Sequence, residues 1–145
     1  PTHAYFGDKD LQQRVVLEKM VADLNLPISI VPCSIIRDEN GLALSSRNRY
    51  LSKDEYRKAL SIPAAWEAMN AAYNRGINKQ REMSEIVQTA LLDNGLAIEY
   101  ISWFNPKEMQ QSEADLCSND YCCIAIKCSN IRLIDNCRIG ESIKK

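Results

Sequence analysis

Imidazole chemistry has little material in this chain: among 145 residues there is one histidine. It stands in Thr2-His3-Ala4, which matches no catalytic motif, and no Ser–His or Cys–His pair is available to activate a side-chain nucleophile. Excess charge is missing too. Eighteen Lys and Arg against 19 Asp and Glu leave a formal net charge of -1, without the clustered basic footprint of a nucleic-acid binder. No apolar run approaches the ~20 residues that a membrane helix needs. No signal peptide is visible and the chain opens Pro1-Thr2-His3 without an initiator Met; we read this start as a cut end, with part of the protein expected to be missing. Internal repeats and low-complexity segments are also absent.

Cysteine is what the chain has in surplus: Cys33, Cys117, Cys122, Cys123, Cys128 and Cys137. A disulfide framework suits small secreted domains, but nothing indicates secretion and the chain is long enough to bury a core without staples. Structural zinc favours close pairs. Cys117 with Cys122, and Cys123 with Cys128, have the loosest such spacing. The second pair brackets a predicted strand, which holds its thiols roughly 16 Å apart at ~3.3 Å per residue. Neighbours Cys122 and Cys123 face opposite ways on that strand. Reduced, partly buried thiols acting as small apolar residues are therefore expected.

The first 40 residues read as strand, helix, strand. His3–Phe6 is a short strand ended by Gly7. Helical spacing then takes over, with Val16, Leu17, Met20, Val21 and Leu24 as the apolar stripe and Leu11, Val15 and Ala22 as a second, narrower row. Asp8 or Asp10 suits the N-terminus of that helix. Pro27 stops it, and Ile28–Val31 is a β-branched strand. Such a βαβ unit makes parallel sheet, and one unit cannot cover both of its faces. Residues 1–40 therefore read as the tail of a larger doubly wound domain.

Asp38-Glu39-Asn40-Gly41 is a polar turn and the expected boundary. Beyond it, Ser52 with Glu55 forms a capping box, and Pro63 restarts or kinks the helix that follows. Trp66, Met69 and Tyr73 share one face of that helix, which ends at Gly76. A further helix over about 79–94 carries Met83, Ile86, Val87, Ala90 and Leu91. Strands are expected at Ala97–Trp103, Tyr121–Lys127 and Ile131–Ile134, with a mostly polar stretch over 107–119. The expected fold is an α/β remnant, one βαβ unit, followed by a small α+β domain (41–145) with helices packed on an antiparallel sheet of about three strands.

Two segments carry candidate chemistry. Phe6-Gly7-Asp8-Lys9-Asp10 lies where a strand ends and a helix begins, the usual ligand position in open α/β sheets. Gly7 lets a ligand approach the backbone, the helix start favours an anion, Lys9 adds a cation and Asp10 can accept from a sugar hydroxyl. On the residues alone a solvated turn remains the simpler reading. The second segment, Leu44-Ser45-Ser46-Arg47-Asn48, is dense in phosphate-binding groups. It follows the second strand, so it should leave the same sheet edge; a polar linker is its plain alternative.

Taken together, Phe6–Asp10 with Gln12-Gln13, then Gly41-Leu42-Ala43-Leu44-Ser45-Ser46-Arg47-Asn48-Arg49-Tyr50-Leu51, and finally Ile131-Arg132-Leu133-Ile134-Asp135-Asn136, resemble the pantothenate synthetase family. The similarity runs in order through the whole chain, and the middle string is specific. That resemblance implies a Rossmann-like nucleotidyltransferase fold related to class I aminoacyl-tRNA synthetases. Residues 1–40 would be the remnant of the ATP- and pantoate-binding domain and 41–145 a lid domain. The family's N-terminal His-x-Gly-His motif is absent. Gly7, Asp8, Lys9 and Asp10 would contact ATP, with Lys9 near the phosphates and Asp10 near the ribose. Gln13 would hold pantoate, and Ile36 would touch adenine or ribose through its backbone. Leu44, Ser45, Ser46 and Arg47 would form a mobile loop over the phosphates, the counterpart of the synthetases' Lys-Met-Ser-Lys-Ser. The family usually has Glu at the position of Asp8 and often Met at that of Leu44, a volume-conserving swap.

The implied activity is an AMP-forming ligation. Pantoate attacks ATP to give an acyl adenylate, and β-alanine then displaces AMP. Lys9, Ser45, Ser46, Arg47 and Mg2+ would neutralise phosphate charge, with no side chain assigned to hold a metal. The resemblance further implies a cytoplasmic homodimer with no nucleic-acid or membrane partner, and a fragment inactive alone. Two other readings stay open on the residues: a binding module that has lost catalysis, and a metal or redox module built on the cysteines.

Overall fold

In the computed structural model, described for residues 1–111 and 115–143, the chain divides into two compact units, Pro1–Ile36 and Arg37–Lys145. In the first, strand β1 (His3–Gly7) leads through a 3-10 turn, Asp8–Asp10, into helix α1 (Leu11–Asp23) and then strand β2 (Ser29–Cys33). The strands pair in parallel, His3 opposite Ser29 through Gly7 opposite Cys33. The expected βαβ unit is present. Each strand extends further towards its carboxyl end than the apolar pattern indicates, because ladder pairing continues to Gly7 opposite Cys33.

The helix buries part of its apolar surface within this unit. Its buried residues are Leu11, Arg14 and Val15. In the wider stripe Val16, Met20 and Leu24 are 58%, 41% and 63% exposed while Leu17 and Val21 are half-buried, and Ala22 of the narrow row is exposed. Leu11 and Val15, spaced i, i+4, are the apolar residues buried on one face of the helix. Asp10, at the N-cap position of α1, makes no side-chain cap. The Asp8 carboxylate is taken by Arg14.

The second unit runs helices first, strands after. Helix α2 (Lys53–Ala59) opens on the complete capping box, Ser52 accepting from the Glu55 backbone N–H and Glu55 accepting from that of Ser52. Helix α3 (Ser61–Asn74) restarts at once, with Pro63 in its first turn, where a missing N–H costs least. Helix α4 (Gln80–Leu92) follows. Strands β3 (Ala97–Asn105), β4 (Gln110–Gln111), β5 (Tyr121–Cys128) and β6 (Ile131–Arg138) form an antiparallel sheet in the order β4-β3-β5-β6. The two-residue β4 is the strand the sequence does not show. The middle of the polar 107–119 stretch, residues 112–114, lies outside the described residues.

The core of this unit lies between α3 and α4 and one sheet face, joining Trp66, Met69, Met83, Val87, Trp103 and Ile124. Both buried indoles are satisfied: Trp103 Nε1 donates to Ser84 Oγ at 2.8 Å and Trp66 Nε1 to Asp135 Oδ2 at 2.9 Å. Cys122, Cys128 and Cys137 pack into the same core, while Cys123 is buried on the opposite sheet face. All six cysteines are free thiols. Burial pushes the Cys123 and Cys137 thiols up to about 12 and that of Cys122 well above the ordinary value. These four side chains are small apolar fillers with no nucleophilic thiolate at neutral pH.

Thiol titration with a bulky disulfide reagent checks this. Cys33 and Cys117, the half-buried and exposed thiols, should react in the native protein. The other four should react only in denaturant, with the labelled peptides identified by mass. Fast native labelling of Cys122 would contradict the packing.

Candidate functional site

The first expected segment sits at the carboxyl end of β1. Gly7 is exposed and extended, at φ -72, and a Cβ built there would meet nothing within 4 Å. A side chain would fit here without a clash. Asp8, Lys9 and Asp10 form the 3-10 turn, and Gln13, the third residue of α1, is exposed beside it. Five expected residues thus share one strand–helix junction. Ile36 is 71% exposed at the last position of this unit.

Arg14 holds the junction in shape, and sequence reasoning passed over it as a flanking polar residue. It is buried, ion-paired to Asp8, and donates through Nη1 to Glu18 at 2.6 Å. Burial alone would lower its pKa, but the Glu18 and Asp8 carboxylates outweigh that and raise it. The Asp8 side chain is therefore a strut of the turn. The Arg14–Glu18 spacing of four was the available signal.

The second expected segment lies in the other unit and follows a braced turn. Asp38 Oδ1 accepts from the backbone N–H groups of Asn40 and Leu42, both at 2.9 Å, and Oδ2 accepts from the Tyr56 hydroxyl at 2.6 Å. That hydrogen bond, with burial, raises the Tyr56 phenol above its ordinary range. Gly41 turns the chain at φ +86, and a Cβ there would lie 3.1 Å from Pro63 Cβ. Ala43 then bridges back to Arg37.

From that bridge the chain runs through Leu44, which is 51% exposed, into a 3-10 helix, Ser46–Tyr50. Ser45 caps it, accepting from the Arg47 backbone N–H at 3.2 Å. Ser46 and Arg47 are exposed, and Arg47 Nη1 donates to the Arg132 carbonyl on β6 at 3.3 Å. The Arg132 side chain is held by Glu99, whose carboxyl this hydrogen bond keeps below the usual range. Asn48 donates to the Ala43 carbonyl at 3.0 Å, while its Oδ1 is buried without a hydrogen-bond partner among the described residues.

Beneath the turn lies an ion pair that sequence reasoning also missed. Arg37 Nη1 donates to Asp135 Oδ2 at 2.7 Å and to the Gly41 carbonyl at 3.1 Å; Nη2 donates to Asp135 Oδ1 and to the Asn136 carbonyl, both at 3.2 Å. Asp135 also accepts from Trp66 Nε1 at 2.9 Å and from the Asn136 backbone N–H at 2.8 Å. The side chains are 8% and 1% exposed. No pattern announced this pair, because its partners are 98 positions apart.

A separate open cleft of about 330 Å³ beside Glu67, Asn74 and Ser142 contains none of the expected residues, and its Asn70 is already bonded to Glu141 and Gly140.

The family described as pantoate-beta-alanine ligase matches residues 1–138, both segments included. The chain belongs to that family. A pantothenate synthetase from Clostridium botulinum is 42% identical over 137 residues, 94% of this chain and 48% of that protein. The crystal structure of pantothenate synthetase from Thermus thermophilus superposes with a TM-score of 0.87 at 34% identity, covering 95% of this chain and 50% of that one. A more distant pantoate-beta-alanine ligase from Francisella tularensis, solved with beta-gamma ATP and beta-alanine, shares the fold at a TM-score of 0.65 and 23% identity. The chain spans about half the length of the pantothenate synthetases it matches.

Gly41→Ala should strain the turn before the Ser45–Arg47 segment. A left-handed φ and the Pro63 contact together predict a loss of roughly 1–3 kcal/mol, read as a lower denaturant midpoint. An unchanged midpoint would show that the turn relaxes freely.

Proposed function

We propose that this chain provides the phosphate-handling part of a ligase that joins pantoate to β-alanine at the expense of ATP, releasing AMP. The observation that carries the reading is the family match over residues 1–138, which takes in both the Gly7–Asp10 junction and the Leu44–Arg47 segment. In this reading residues 1–40 belong to a Rossmann-like ATP- and pantoate-binding domain and residues 41–145 form the lid.

The chemistry needs no protein nucleophile. The pantoate carboxylate attacks the α-phosphorus of ATP, pyrophosphate leaves, and the β-alanine amine then attacks the acyl adenylate and expels AMP. Catalysis is placement plus neutralisation of phosphate charge. Lys9 supplies a cation near the phosphates, and Gly7, Asp8 and Asp10 present the strand–helix junction to the nucleotide, Asp10 towards the ribose. Gln13 orients pantoate through its amide, and Ile36 lies along the adenine or ribose. Ser45 and Ser46 donate hydroxyls and Arg47 a guanidinium to the phosphates, with Leu44 as the apolar shoulder of the same segment. Among the described residues no group of three or more His, Cys, Asp or Glu is placed to hold a metal ion. Mg2+ would share with Lys9 and Arg47 the neutralisation of phosphate charge.

The reading carries with it a cytoplasmic enzyme that works as a homodimer in its longer form, without a nucleic-acid or membrane partner. No helix among the described residues is long and apolar enough to cross a membrane. It also holds that the chain is inactive by itself, because the family's His-x-Gly-His motif has no counterpart here.

The test is AMP release from ATP, pantoate and β-alanine, with pantothenate identified by mass, for the chain alone and with a separately made N-terminal half of a relative. Activity restored by the added half supports the proposal. No activity in either case counts against a ligase. Within the restored enzyme, Lys9→Ala should lower the adenylation rate by about 10² or more while leaving the circular dichroism spectrum unchanged. An unaltered rate would remove Lys9 from the site.

A further inference from the structure

We infer that Arg37 is a positioning residue for the Leu44–Arg47 segment, and that its clamp on Asp135 is the fixed root from which Arg47 swings onto a phosphate. The inference rests on the reading of that segment as the phosphate-handling loop.

The segment is tied to strand β6 twice, and the two ties differ in kind. At the root, Arg37 makes four hydrogen bonds, to both Asp135 carboxylate oxygens and to the Gly41 and Asn136 carbonyls, at 2.7–3.2 Å. Asp135 answers with four acceptances, the other two from Trp66 Nε1 and the Asn136 N–H. A carboxylate has about four lone-pair sites, so this one is saturated. Trp66 is fully buried in the core, and through it the root is continuous with helix α3. Through the Gly41 carbonyl and the Arg37–Ala43 bridge, the residue just before Leu44 is fixed to this block.

At the tip, Arg47 makes a single exposed bond, 3.3 Å long, to the neutral Arg132 carbonyl. A phosphate oxygen is a stronger and shorter partner for a guanidinium than a neutral carbonyl, so this contact is one a nucleotide can displace. The buried Asn48 Oδ1 has no partner among the described residues in this arrangement. An unsatisfied buried acceptor favours rearrangement of the segment that carries it. A rigid root with an exchangeable tip lets the segment close on one trajectory, and placement at the ångström scale decides rate in a reaction driven by positioning.

Arg37→Lys tests this, because it keeps the charge and removes the fork that spans Asp135, Gly41 and Asn136. Hydrogen exchange of the amides in 42–50 should rise at least tenfold, with α4 and β5 unchanged. In the ligase restored with an N-terminal half, kcat should fall at least tenfold while KM for pantoate stays within twofold. Unchanged exchange in 42–50, or a rise spread equally over α4 and β5, overturns the inference. So does a local rise that leaves kcat intact. If the unsubstituted protein forms no adenylate, the ligase reading fails, and the exchange experiment still decides whether Arg37 holds the root. Should Arg37→Lys not fold, the neutral amide pair Arg37→Gln with Asp135→Asn is measured in the same way.

Discussion

The second unit is organised around one pair of opposite charges out of water. Taking the Arg37 guanidinium and the Asp135 carboxylate to 8% and 1% exposure costs several kcal/mol per ion before any return. Such a pair persists only when its remaining donors and acceptors are also satisfied, and here they are, by Trp66 Nε1, the Asn136 N–H and two backbone carbonyls. Replacing a pair like this with apolar residues of equal volume can leave stability unchanged, so its worth here is geometric. It sets where the chain enters the unit, which way the turn at Gly41 points, and how β6 closes against α3.

How legible this was depended on the distance over which each feature is encoded. The capping box at Ser52 and Glu55, the restart at Pro63 and the stripe of Met83, Val87 and Leu91 are written within one or two turns of chain, and the structure has them where the residues place them. Strand ends were less legible. β6 runs on to Arg138 because its pairing with Tyr121 continues, and that information sits in another strand. On α1 both apolar rows were legible, and within this unit the residues buried from them are Leu11 and Val15 of the narrower one.

The candidate site divides along the same line. The strings around Gly7 and Ser45 are contiguous and could be read directly. The residues that brace them could not: Arg14 looks like any polar residue on a helix flank, and Arg37 and Asp135 are joined only by the fold. The cysteines show the converse. Their number and spacing invite a metal or disulfide interpretation, yet Cys122, Cys123, Cys128 and Cys137 lie in well-packed surroundings where desolvation holds the thiol form. Their role there is volume.

The separation of 98 residues between Arg37 and Asp135 also has a meaning during translation. At ribosomal speed the second partner follows the first by roughly 5–20 s. Until then the guanidinium lacks its Asp135 partner, and the indole of Trp66, once made, lacks its acceptor there. A nascent chain halted anywhere in between would leave a charge that the core cannot accept, and it would stay open to proteolysis. The segment that would handle phosphate is thus among the last parts of the unit to take shape, after the ribosome has read through the closing strand.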